Sequence, residues 1–82
     1  MAMPAWSLLP NGRSIRRTRD FKEMYQAEAF SAFVVRLTMA ERQPATIDFV
    51  DSQVLVTLHG PTVNGAAGEL TEAVLDIADA IG

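Results

Sequence analysis

His59 is the only histidine in the chain, and there is no cysteine. Proton-transfer and nucleophilic chemistry are therefore narrowed from the outset. Imidazole titrates at about pH 6.5 and is the usual general base or acid near neutrality. A single histidine closing an apolar strand pattern is more often a hydrogen-bonded rim residue, and no second ligand stands at a chelating spacing from His59. Without cysteine, disulfides, thiolate zinc sites and a cysteine nucleophile are excluded. The carboxylate pairs Glu69/Glu72 and Asp76/Asp79 lie three apart on the solvated side of a helical pattern, where nothing would tune them for acid–base work. Gly60, Gly65 and Gly68 have neither the lysine nor the spacing of a phosphate loop. The remaining chemistry is cationic. Arg13, Arg16, Arg17, Arg19 and Lys22 are five of the seven basic residues and fall within ten positions. Guanidinium forks suit carboxylate-rich surfaces, which makes Arg16, Arg17 and Arg19 the candidate partner contact. A snorkelling strand rim is the competing reading of the same three residues.

The chain that must hold these groups has 82 residues, 49% of them hydrophobic and 21% charged, with a net charge of −3. That is one globular domain, 1–82, with a small core that oligomerisation would help. From Gln43 onward there are six acidic residues and no basic one. Such a dipolar chain suits an acidic partner at one end and argues against nucleic acid. No apolar run is long enough to span a bilayer, and Met1–Pro4 lacks the basic-then-apolar order of a secretory signal. A cytoplasmic protein is expected, with no membrane partner.

Trp6–Leu9 is a short apolar stretch ended by the Pro10-Asn11-Gly12 turn signal. Ser14–Phe21 alternates, with Ile15, Arg17, Arg19 and Phe21 on one face and Ser14, Arg16, Thr18 and Asp20 on the other. The two read as a hairpin. Phe21, Met24, Ala27, Phe30, Val34 and Leu37 then recur at helical spacing, widened by Tyr25, Ala29 and Phe33. Asp20 with Glu23 forms a weakened capping box, Pro44 marks the far end, and a helix of about 20 residues is predicted. Thr46–Val50 and Val54–His59 form a second hairpin about an Asp51-Ser52-Gln53 turn, and Gly60–Gly68 reads as a loop. Leu70, Val74, Ile77, Ala78 and Ile81 make a last helix, capped by Thr71 and stapled by Leu70 and Leu75. The predicted order is β-β-α-β-β-α. The fold class is α+β: a four-stranded antiparallel sheet of two hairpins with both helices on one face.

The tryptophan and turn of the first hairpin, Ile15-Arg16-Arg17-Thr18, Phe21-Lys22, Ala27 and Phe30 follow a particular order. Pro44, Val54-Leu55-Val56-Thr57-Leu58 and Leu70-Thr71 continue it. Together they resemble the pterin-4a-carbinolamine dehydratase family from Trp6 to Ile81. The family's helix before the tryptophan has no counterpart in the five residues that precede Trp6. The resemblance implies a site built from a His-His-Pro after the long helix, a Thr-His ending the last strand and an Asp in the last helix. Carried onto this sequence, these become Arg42-Gln43-Pro44, Gly60-Pro61 and Val74. Dehydrating a carbinolamine needs one group to accept a proton and another to donate one. Arginine stays protonated, glutamine does not titrate, and proline and valine have no proton to move. His59 lies two residues before the implied strand-end histidine, on the same strand face but about 6–7 Å away along the strand.

A pseudoenzyme is therefore expected, with Arg42, Gln43, Pro44, His59 and Val74 around a relict pocket and no cofactor or metal. The sequence most resembles the family's non-catalytic branch, the Rubisco assembly factors associated with α-carboxysomes. That resemblance implies a homodimer joined through the sheet, edge to edge, that chaperones Rubisco large subunits before the holoenzyme is complete. It also implies association with the carboxysome. A diverged dehydratase, or a dimerisation cofactor binding another protein, is the alternative function.

Overall fold

The computed structural model describes residues 6–82, with Ala66 and Ala67 described by their backbone. The reading of Met1–Pro4 falls outside the described residues. The elements are β1 (Ser7–Leu8), β2 (Ser14–Asp20), α1 (Met24–Ala40), β3 (Ala45–Val50), β4 (Gln53–His59), β5 (Thr62–Val63), β6 (Ala66–Ala67) and α2 (Glu72–Ile81). Strands β1–β4 form one antiparallel sheet in the order β1-β2-β4-β3, which contains both predicted hairpins and joins them through β2 and β4.

Register fixes which side chains share a face. Ile15 pairs with Leu58, Arg17 with Val56 and Arg19 with Val54, while Ala45, Ile47 and Phe49 pair with the same β4 residues from the other side. Val54, Val56 and Leu58 are fully buried beneath the helices. Ala27 and Val34 of α1 and Val74, Ile77, Ala78 and Ile81 of α2 complete the core. The opposite, open face carries Ser14, Arg16, Thr18 and Asp20 of β2 beside His59, Thr57, Leu55 and Gln53 of β4. A single layer of helices on one sheet face is the arrangement that lets period-2 strands and period-3.6 helices bury one apolar side each.

Three local expectations are corrected. Helix α1 runs 17 residues from Met24, and its N-cap is Glu23 in extended geometry (φ −120°, ψ 143°). The Glu23 N–H donates to Gln26 Oε1 at 3.3 Å. Asp20 cannot cap because it remains in β2 and its carboxylate accepts from Gln53 Nε2 at 2.8 Å. The apolar stripe of α1 is also narrower than its sequence: Met24, Tyr25 and Phe33 are exposed, and so are Val35 and Met39. The sheet is only four strands wide and α2 takes part of it, so α1 can bury only the sector around Ala27, Val34 and Thr38. Finally, the 60–68 segment is not wholly a loop. Thr62–Val63 pairs with Ala66–Ala67 in a ribbon, turned by Asn64 (φ 51°) and Gly65 (φ 81°), an Asn-Gly pair suited to positive φ.

Candidate functional site

Helix α1 ends in a Schellman motif. The Arg42 N–H donates to Met39 O at 3.2 Å and the Gln43 N–H to Thr38 O at 2.7 Å, with Arg42 itself left-handed at φ 53°. Glycine is the usual residue at this position, so an arginine there carries backbone strain. The turn throws Arg42, Gln43 and Pro44 toward the start of β5 and the first turn of α2. Gln43 is fixed there: its Nε2 donates to Pro44 O at 2.8 Å and to His59 O at 2.6 Å. Arg42, Gln43 and Pro44 line a cavity of about 330 Å³ together with Pro61, Thr71 and Val74. The positions assigned to the implied dehydratase site, separated by up to 32 residues in the chain (42 to 74), thus meet in space. Among the described residues that line this cavity, the charged side chains are Glu41 and Arg42. A guanidinium and an exposed carboxylate can bind a polar ligand, but they do not make an acid–base pair for dehydration near neutral pH.

His59 does not line that cavity. Strand alternation sends its ring to the open face, where Nδ1 lies 2.9 Å from Ser14 Oγ and Nε2 lies 3.0 Å from Thr46 Oγ1. One hydroxyl belongs to β2 and the other to β3, so the imidazole ties the two flanking strands to β4. Ser14 is fully buried, and Asn11 Nδ2 also approaches its oxygen at 3.4 Å. Below this cluster the Gly60 N–H donates to Arg13 O at 2.9 Å. Ser14 and Thr46 had no motif to announce them. Only the strand register places them against the histidine.

The three candidate arginines do not form one stripe. Alternation turns Arg16 to the open face, where its Nε donates to Thr57 Oγ1 at 3.0 Å. Arg17 and Arg19 lie on the helix face at the outer edge of β2. The guanidinium of Arg19 stacks over the rings of Phe30 and Phe21, 4.9 and 5.4 Å from their centroids, and those two rings are 5.4 Å apart. Arg17 is half-buried, and desolvation, followed by repulsion from Arg19, lowers its pKa from the ordinary arginine value. Among the described residues its buried Nε has no hydrogen-bond partner, and the buried Nε1 of Trp6 has none either. The cation–aromatic stack was legible in principle, since Arg19 and Phe21 share a strand face and Phe30 a helix stripe.

Among the described residues no group of three His, Asp or Glu side chains could hold a metal ion, and no helix is long and apolar enough to cross a membrane. No family model matches the chain, and no curated protein matches it by sequence. By structure the chain is similar to a transcriptional coactivator/pterin dehydratase from Brucella melitensis. The TM-score is 0.78 at 19% identity, over 95% of this chain and 79% of that one. The chain has the pterin dehydratase fold.

Proposed function

We propose that this protein is a non-catalytic binding protein built on the pterin dehydratase fold, and that it acts as an assembly chaperone for Rubisco large subunits. The observation that carries the first half is the composition of the cavity. Arg42, Gln43, Pro61 and Val74 occupy it, where the dehydratase reaction would need two groups exchanging protons near neutral pH. The one imidazole of the chain is committed elsewhere, between Ser14 and Thr46. The chaperone half rests on the sequence's resemblance to the non-catalytic assembly factors of α-carboxysomes. It is supported by the apolar side chains left in water on α1: Tyr25, Phe33, Val35 and Met39 are all more than 40% exposed. Exposed apolar surface of this kind serves transient capture of a partner whose own apolar surface assembly later covers.

Strand β3 is one of the two outer strands of the sheet. A homodimer formed edge to edge through it would hide Phe49 and Val50 and relieve an edge that otherwise invites non-specific pairing.

The test is capture of newly synthesised, unassembled Rubisco large subunits, read by native gel and pull-down, with assembled holoenzyme as comparison. Retention of free large subunits and no retention of holoenzyme is the expected result. No retention, beside a control chaperone that retains them, overturns the chaperone. A dehydratase assay on the same preparation is expected to show no turnover above buffer. Turnover would restore the enzyme reading.

A further inference from the structure

We propose that the outer edge of β2, where Trp6, Arg17 and Arg19 meet, is a docking site for an extended acidic segment of a partner protein. This goes beyond the function proposed above and does not depend on it.

Three observations converge on this edge. First, buried polar groups are almost always hydrogen-bonded, yet Arg17 Nε and Trp6 Nε1 are both buried and have no partner among the described residues. The β1–β2 register pairs Ser7 with Arg16; one residue further along, it sets Trp6 opposite Arg17. Two buried donors thus stand at the same end of the β1–β2 pair, and what both lack among the described residues is an acceptor. Second, the charge is uncompensated. Arg17 and Arg19 share the helix face at alternate positions, and their interactions are with each other and with aromatic rings. No carboxylate pairs with either among the described residues, and Met1–Ala5 contain no carboxylate to supply. Third, no described residue pairs with the second half of β2 on the β1 side. Described pairing on the β1 side ends at Arg16. The Leu9 N–H donates to Ser14 O, so the even-numbered residues of β2 direct their backbone groups toward this edge. Among the described residues, none pairs with those of Thr18 and Asp20 on that side.

An added strand satisfies all three. Its main chain pairs with Thr18 and Asp20, as in β-strand addition. Carboxylates at alternate positions reach the helix face and accept from the two guanidiniums and the indole. Arginine-to-carboxylate pairing is charge-assisted and geometrically specific. The stack on Phe21 and Phe30 holds the Arg19 fork in place before binding, which lowers the ordering cost.

Trp6 is the only tryptophan of the chain, so its emission reads the site directly. The experiment titrates the full chain with a blocked (Thr-Glu)4 peptide and with (Thr-Gln)4 at moderate salt. Saturable change in Trp6 emission with the acidic peptide alone is expected. Arg17→Met and Arg19→Gln should each weaken binding about tenfold or more. Lys22→Gln, which removes the same unit of charge from an exposed side chain, should change it by less than about twofold. Thermal melts of each variant confirm that it is folded.

No saturation by the acidic peptide overturns the proposal, as does equal loss in the Lys22 and Arg19 variants. Inorganic phosphate giving the same emission change at the same concentration would assign a simple anion site instead. Loss of the signal as the chain self-associates would assign the edge to a second copy. Tighter peptide binding after removal of residues 1–4 would assign it to the chain's own N-terminus.

Discussion

Strand β2 supports two polar regions that differ in one respect. At its start, Ser14 meets His59 and Thr46, and both imidazole nitrogens have a partner within 3.0 Å. A few residues on, Arg17 Nε and Trp6 Nε1 are shut away from water and have no partner among the described residues. The first region lies on the open face and binds three strands together. The second lies at the sheet margin, where Trp6 packs against the core and Arg19 stacks on Phe21 and Phe30. A satisfied buried network fixes structure, whereas buried donors without acceptors cost free energy that the isolated chain does not recover. The histidine that first suggested chemistry is thus bonded to both neighbouring strands, and of the three arginines it is Arg17 that holds a buried donor with no acceptor among the described residues.

The severest way to break the satisfied region is from below. Gly60 is buried beside His59, and a Cβ there would overlap the carbonyl oxygen of Gly68 and stand 2.7 Å from that of Glu69. Both obstacles are backbone, so neither can swing aside. Gly60→Ala is expected to cost more than about 3 kcal/mol, by denaturant titration, and to leave a largely unfolded chain at ambient temperature. A near-normal melt would mean that the β5–β6 ribbon moves freely away from the strand end.

His59→Ala probes the network itself. It strips the Ser14 hydroxyl of its best partner inside the protein, at a cost of about 2–3 kcal/mol. Replacing Ser14 by alanine in the same chain should recover about 1 kcal/mol, because the orphaned hydroxyl goes with it. If the single His59 variant melts like the wild type, the contrast between the two regions collapses.

Arg17→Met carries the opposite sign. Burial lowers the pKa of Arg17, so the folded state disfavours its charged form relative to the unfolded chain. That penalty is present at every pH below the lowered value, and an apolar side chain of similar length removes it. The variant should gain a few degrees in Tm, about 2–5 °C. A loss of stability would show that the guanidinium is held by contacts worth more than its desolvation.

The order of elements was legible because each segment's hydrophobic period matched its fate. Val54, Val56 and Leu58 alternate and are all buried, and the α2 stripe at Val74, Ile77, Ala78 and Ile81 is buried as spaced. Where the reading failed, tertiary context decided. Asp20 has the chemistry of a cap, but its pairing with Gln53 keeps it in the sheet. Phe33 and Tyr25 have the hydrophobicity of core residues, but no second layer reaches them. The 64–65 Asn-Gly turn was readable and lay in a segment too rich in glycine and proline to suggest strands. The cavity positions followed from resemblance and the His59 partners only from register, since no local signal links residue 14 to residues 46 and 59.

The smallest expected effect tests whether burial is what makes an unmet hydrogen bond matter. Thr71 occupies the N-cap of α2 in extended geometry (φ −116°, ψ 167°), yet its side chain makes no capping hydrogen bond. Unlike Trp6 and Arg17, it is exposed, so water can satisfy both the hydroxyl and the first N–H groups of the helix. Ordinary N-cap truncation costs about 1 kcal/mol. Thr71→Ala should cost less than about 0.5 kcal/mol, because the bond that truncation normally removes is not made. Gln26→Ala is the matched comparison on α1, where the Glu23 N–H does use the side chain at 3.3 Å; it should cost more than the threonine change. Equal losses at the two helices would mean that Thr71 closes its cap in solution. Unmet donors at a surface would then be no guide to the energetics of those at the β2 edge.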